Sequence, residues 1–353
     1  MQILVVVPAA RSTALYHFDE GVCRHAAHLE HDPAALARFP GVWDQFPLRF
    51  QALSAHLAQT GIDPQSLAAV AAPGGLLSPR PGGLYPVDGA LLEELRAATR
   101  GEHPSNLGAL LAYHLGRQVG CSAYIVDPLS TNELCPEALV TGVPDLVRWP
   151  LHHATGARAA ARTVAARLGQ RYEEANLVVA FLGAGISVGA HAGGRIVDVN
   201  NALEGGPFSP ERAGTLPTGD LLRRCFSGEV TERQLLRQLT AEGGLFAHLG
   251  TKDWGEVERR IADGDAHARQ IYEAMAYQVA KEIGGMAVAC RGRVTAVVLT
   301  GPLASSALLP GLIGERVAWI GPVVCLPDSG EAALVAETVT LWLSSQEEAS
   351  RTL

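Results

Sequence analysis

Glycines, carboxylates and an arginine crowd one stretch of this chain, NLVVAFLGAGISVGAHAGGRIVDVNNALEGGPFSPERAGTLP, from Asn176 to Pro217. Gly183-Ala184-Gly185 follows an apolar run. Glycine at such a place lets the backbone approach a ligand, and exposed N–H groups bind phosphate. A tight hairpin turn would use the same residues. Ser187, His191, Asp198, Asn200 and Asn201 alternate along the next two extended segments, and Glu211-Arg212 sits in a long Gly/Pro-rich loop. Arg212 is the residue expected to neutralise a phosphoryl group. The alternative is a surface ion pair with Glu211 or Asp220.

Other candidates are more ambiguous. Asp127 follows a short strand and precedes Pro128, which suits a metal or base carboxylate and equally a turn. Glu331 opens a predicted helix, where an acid also complements the dipole. His152-His153 precede a helix as acid–base groups or as capping residues, and His103-Pro-Ser-Asn106 could be purely a capping segment. Spacing alone supports a two-domain cytosolic protein that binds phosphate.

The elements that must position these groups follow from periodicity. The β-branched run 3–7 reads as a buried strand, and 12–18 and 22–29 flank the turn Asp19-Glu20-Gly21. Residues 44–69 read as largely helical, with 67–72 as a further apolar run. The Gly/Pro-rich 74–87 reads as loop. Helices are expected over 91–99, 105–120 (with Ser105 as N-cap) and 151–168, stopped by Gly169. A short strand over 123–126 delivers Asp127. The opening pattern then recurs as 177–182, 186–191 and 195–200, turning at Gly183–Gly185 and Gly193-Gly194. This repeat, about 174 residues after the first, predicts a duplicated βββ-plus-α unit. Further helices are expected over 231–239, 256–262, 266–290 and 331–343, and strands over 294–299, 317–320 and 323–326. The turn Gly301-Pro302-Leu303-Ala304 follows one of those strands.

The 353 residues suit two medium domains, and 48% hydrophobic with 18% charged residues provides for buried sheets. A net charge of -8 argues against nucleic acid or an anionic membrane as partner. The start, MQILVVVPAARST, reads as a strand rather than a signal peptide. No run approaches the roughly 20 apolar residues of a membrane span. Six cysteines without a C-x-x-C pair argue against structural zinc or a disulfide framework and fit a cytoplasmic location.

The Asn176–Pro217 stretch closely resembles butyrate kinases, of the acetate and propionate kinase branch in the superfamily of sugar kinases, actin and heat-shock chaperones. The resemblance continues, in order, through 103–109, 125–128, 225–228, 243–245, 249–251, 275–281 and 298–301, covering essentially the whole chain. It implies an α/β fold of two duplicated RNase H-like (βββαβαβα) domains around an interdomain nucleotide cleft. The domains would be 1–174, with a helix at 335–353 packing back on it, and 175–334. It implies reversible transfer of the ATP γ-phosphate to butyrate or a related short or branched acid, with ADP, acyl phosphate and Mg²⁺, by a cytoplasmic homodimer. A higher oligomer or a heteromer with a paralogue is also open. Residue by residue, Arg212 matches the family arginine on the phosphoryl group, and Asp127 the carboxylate near acyl substrate and metal. Glu331 matches the glutamate that helps hold Mg²⁺. His153 matches a cleft histidine, Gly183 to Gly185 with Ser187 the second phosphate loop, Gly301 to Ala304 the adenosine turn, and Ser12 and Thr13 the first phosphate loop.

The departures fall at chemical positions. Val7 stands for the family asparagine, Ala9 for a loop glycine, Pro73 for a second arginine, Phe181 for a histidine, and Ala184 and Pro302 for glycines. A phosphoryl-stabilising arginine is worth about 10³–10⁵ in rate. Arg11 and Arg80 lie in the depleted loops as possible replacements. The resemblance therefore implies either a kinase with an altered first loop or a non-catalytic nucleotide- or acyl-binding regulatory subunit.

Overall fold

The opening QILVVVP is apolar on both alternating faces, and that suits a strand buried on both sides. In the computed structural model, which describes residues 1–351, it forms β1 (Gln2–Pro8). Leu4 and Val6 enter one core, Ile3 and Val5 another. The chain divides into two units, Met1–Thr131 with the segment beginning at Gly330, and Asn132–Ser329.

In the first unit, β2 (Ser12–Asp19) and β3 (Val22–Glu30) complete an antiparallel meander with β1. After α1 (Pro33–Leu36) and α2 (Phe46–Thr60), β4 (Leu67–Pro73) pairs parallel with β1. β5 (Leu84–Pro86), α3 (Gly89–Ala97), α4 (Asn106–Val119) and β6 (Ser122–Val126) follow. The six-stranded sheet runs β3-β2-β1-β4-β6-β5. Leu53 of α2, Leu91 and Leu95 of α3 and Leu107 and Leu111 of α4 fill the core on one face. On the other, α13 (Glu331–Arg351) lays down Val335, Ala336 and Val339.

The second unit repeats the plan. After α5 (Pro136–Leu139) and α6 (Ala154–Arg167) come β7 (Leu177–Leu182), β8 (Ile186–Ala192) and β9 (Arg195–Val199), an antiparallel meander. Helices α7 (Thr218–Cys225), α8 (Glu232–Thr240), α9 (Gly244–Leu249), α10 (Trp254–Ala262) and α11 (Ala266–Ala289) intervene. Then β10 (Ala296–Thr300), α12 (Leu309–Val317) and β11 (Val323–Leu326) close a sheet ordered β11-β10-β7-β8-β9, with β10 parallel to both neighbours. Val178 and Ala180 face α11; Leu177 and Val179 face the alanine-rich side of α6. This is the duplicated RNase H-like fold.

Several sequence expectations shift. Residues 44–69 hold α2, two short 3-10 turns and the start of β4, because the Gly61–Asp63 break stops the helix. The loop 74–87 contains β5. The strand expected over 317–320 is the end of α12 and a turn: Leu309, Ile313 and Val317, spaced by four, bury one helical face. Ser105 does not cap α4 with its side chain; its hydroxyl lies 3.0 Å from His103 Nδ1. Residues 132–174 lie in the second unit instead of closing the first, since α6 packs on β7 and β10. The returning segment begins at Gly330, ahead of the expected 335, and 352–353 lie outside the described residues. All six cysteines are free thiols. Among the described residues, no helix is long and apolar enough to cross a membrane.

Candidate active site

The second unit gathers most of the expected groups. Leu182 ends β7 and leads into Gly183-Ala184-Gly185, closed by a hydrogen bond from Gly183 N to Gly185 O at 3.1 Å. Ala184 is exposed at the tip, and its carbonyl accepts from the Ser209 hydroxyl. Ser209 Oγ in turn accepts from Arg212 N at 3.1 Å, and Ser209 N donates to Arg212 O at 3.1 Å. Residues 209–212 are thereby fastened to the turn. Their anchor upstream is Asn200, whose Oδ1 accepts from Val188 N at 2.6 Å and whose Nδ2 donates to Ile186 O at 3.1 Å.

Arg212 folds back over Gly185, where an added Cβ would overlap its guanidinium. It is 7% exposed and donates from Nη1 to Ala202 O at 3.0 Å, while its buried Nε has no hydrogen-bond partner. Burial pulls its pKa below the usual arginine value, with Glu211 acting weakly in the other direction. No ion pair explains it. Glu211 is held by Lys252 at 2.8 Å and Asp220 by Arg223. A buried cation with neutral acceptors and a spare donor favours an incoming anion.

Gly301 has φ +88°, and a Cβ there would stand 2.7 Å from Leu182 O. The turn Gly301-Pro302-Leu303-Ala304, closed from Ala304 N to Gly301 O at 2.9 Å, therefore abuts the base of the Gly183–Gly185 turn. Both lie at the C-terminal ends of neighbouring parallel strands, where open α/β sheets bind ligands. Ser187 is buried on β8, with Oγ 3.4 Å from both N and Nδ1 of His153. The His153 ring stacks on Phe181, centroids 4.1 Å apart and planes 10° apart.

In the first unit, Val7, Pro73 and Asp127 lie at or just beyond the C-terminal ends of neighbouring strands β1, β4 and β6. Asp127 is buried with φ +46°, in the left-handed region. Gly83 N donates to its Oδ1 at 2.8 Å, and its own N donates to Gly83 O at 2.9 Å. A non-glycine residue held there costs roughly 1 kcal/mol or more, and such strain gathers at functional sites. Ser12 is half-buried; Thr13 is buried, its Oγ1 2.8 Å from His31 Nε2. Glu331 is the first residue of α13 and half-buried.

Some neighbours of the central stretch serve other ends. His191 Nδ1 meets Tyr172 OH at 2.8 Å in the core, Asp198 pairs with Arg148 at 3.0 Å, and Asn201 holds Trp149 O at 3.3 Å. Arg80 is committed to Glu94 at 2.6 Å and lies over the Tyr85 ring, so it does not replace the arginine missing at Pro73. Arg11 is exposed. Sequence reasoning missed Ser209 and the bracing role of Asn200. Their signal was a serine and an asparagine in a long loop rich in glycine and proline.

Residues 145–310 match the Acetokinase family. Among solved structures, the chain is similar to the acetate kinase of Porphyromonas gingivalis at 16% identity and TM-score 0.76, covering 97% of this chain and 99% of that one. A propionate kinase from Francisella tularensis matches at 16% identity and TM-score 0.70, over 95% and 98% of the two chains. The acetate kinase of Entamoeba histolytica matches at 14% identity and TM-score 0.69, over 91% and 87%. The shared property at these identities is the fold.

Proposed function

We propose that this chain is an acetokinase-family carboxylate kinase that reversibly transfers the γ-phosphoryl group of ATP to a short-chain acid, butyrate or a branched relative. The observation that carries the reading is Arg212, buried, unpaired with any acid and keeping a donor free beside the Gly183–Gly185 turn. A carboxylate oxygen attacks the γ-phosphorus, the bond to the ADP oxygen breaks, and acyl phosphate and ADP leave; no proton moves. The protein's task is to position the groups and neutralise charge on the transferring oxygens.

Arg212 stabilises those oxygens. In the second unit Gly183, Ala184, Gly185 and Ser187 receive phosphate and Gly301 to Ala304 cradle the adenosine; in the first, Ser12 and Thr13 are assigned to phosphate. The close approach of Gly301 to Leu182 main chain sets this turn against the base of the Gly183–Gly185 turn, which supports assigning the two turns to one nucleotide. Asp127 and Glu331 would hold Mg²⁺, with Asp127 also near the acyl group and His153 polarising the acceptor. Among the described residues, no three acids, histidines or cysteines cluster as a metal cage. Mg²⁺ does not need one: it keeps water and phosphate ligands alongside one or two carboxylates. A cytoplasmic homodimer is the expected working form.

Purified protein with ATP, Mg²⁺, hydroxylamine and a panel from acetate to hexanoate, isobutyrate included, should form hydroxamate, most with butyrate-sized acids. Absence of product across the panel would remove the reading. Val7 and Pro73, in place of an asparagine and an arginine, favour a second reading, a nucleotide- or acyl-binding regulatory subunit, homomeric or paired with a paralogue. ATP binding by calorimetry without any turnover would select it. If the kinase reading holds, Val7→Asn with Pro73→Arg raises kcat by at least about tenfold, within what one phosphoryl-stabilising donor is worth.

A further inference from the structure

Arg49, on α2, is fully buried. Its Nη1 donates to Ala9 O at 2.9 Å, Ser12 O at 2.8 Å and Thr13 Oγ1 at 3.2 Å. Its Nη2 donates to Ala10 O at 3.1 Å and Gln45 Oε1 at 2.9 Å, and Nε to the same Gln45 oxygen at 3.2 Å. None of these acceptors is a carboxylate. Burial without a counter-charge pulls its pKa down to about 10. Desolvating an unpaired cation is costly, and a neutral amide could bind some of the same carbonyls without that cost.

The loop gives the cation its use. Three carbonyls, of Ala9, Ala10 and Ser12, point inward to one guanidinium. Each peptide is trans, so the N–H that follows each carbonyl points the opposite way. Ala10 and Arg11 are exposed, and neither N–H donates to another group among the described residues. Thus two successive N–H groups face outward over a fixed positive charge. Successive free N–H groups in a turn bind anions. His31 braces the same loop: its N donates to Arg11 O at 2.8 Å and its Nε2 lies 2.8 Å from Thr13 Oγ1.

We propose that Arg49 is a positioning residue for phosphoryl transfer, fixing the Ala9–Thr13 loop so that the N–H groups of Ala10 and Arg11 receive a phosphate oxygen. This rests on the kinase reading for its purpose, though the loop's anion site is testable without turnover. On the full chain labelled with ¹⁵N, titration with inorganic phosphate should move the amide signals of Ala10 and Arg11. In Arg49→Lys, which keeps the charge but not the fork, the same movement should need about tenfold more phosphate, a factor well outside titration error. Still amides in the wild type, or an unchanged titration in a folded Arg49→Lys, would overturn the proposal. Should Arg49→Lys not fold, Ala10→Pro deletes one donor without touching Arg49; unweakened phosphate binding at Arg11 would then overturn it.

Turnover separates the two ideas. Arg49→Lys should lower kcat by about tenfold or more with the carboxylate KM little changed, the pattern of an interaction made mainly in the transition state. A rise in carboxylate KM alone would overturn the positioning role. Amides that respond to phosphate in a wild type without turnover would retire the kinase reading and leave the loop assignment standing.

Discussion

At the scale of the residue, two groups carry distinct and separable loads. Arg212 is held by main chain, covered and partly unsatisfied. Arg212→Gln should lower kcat by about 10³ or more while the melting temperature moves by only a few degrees, because the neutral amide can still meet Ala202 O. Comparable activity in the variant would remove Arg212 from the reaction. Asp127 mixes conformation with charge. Asn tolerates the left-handed region and keeps the acceptor for Gly83 N, so Asp127→Asn should keep stability and lose activity. Asp127→Ala loses both, with about 1–2 kcal/mol of stability from strain and the missing hydrogen bond, readable by denaturant titration. Sequence spacing pointed to both residues. It could not show that Arg212 is buried or that Asp127 is left-handed, because both depend on loops that return from a distance, 83 to 127 and 202 to 212.

At the scale of the element, the meanders were legible because strict apolar runs and glycine turns are local signals. The helices α7, α9 and α12 were not foreseen: α9 and α12, short and carrying glycine or proline, owe their existence to what they pack on, while α7 buries no residue and leaves no apolar periodicity to read. Leu245 of α9, for example, closes over the second unit's main core. The expected phosphate and adenosine turns are adjacent because Gly301 meets Leu182, a contact between segments far apart in sequence that periodicity does not reveal. Gly301→Ala should be costly twice over, from its φ of +88° and from its Cβ 2.7 Å from a carbonyl. An expected loss of about 2–4 kcal/mol in chemical denaturation, with weaker ATP binding by calorimetry, checks it. Full stability in the variant would mean that the two turns are not pressed together.

At the scale of the whole molecule, buried and half-buried imidazoles contribute to the pH response between about pH 7 and 5. His17, His31, His114 and His191 are all held below the ordinary histidine value, chiefly by burial, and His191 well below it. The unfolded chain takes up protons near pH 6.5; the folded chain does so only at lower pH. Stability from these groups is therefore fully present above about pH 6.5 and is lost as pH falls toward their folded values. The melting temperature should be level from pH 8 to 7 and fall between 6.5 and 5.5. His191→Gln, which keeps an acceptor for Tyr172, should make that fall shallower. A flat profile in the wild type, or an unaltered slope in the variant, would mean other groups govern it.

The grip of Arg49 bears on how this sequence was free to change. Its acceptors at 9, 10 and 12 are main-chain oxygens, which every amino acid supplies. The shape of the loop is thus written in α2, about forty positions downstream of the residues that adopt it. Substitutions at Ala9 and Ala10 can accumulate without unfolding the loop, whereas a change at position 49 would loosen all three carbonyls in one step. The alanines are tenants in a conformation that another helix owns.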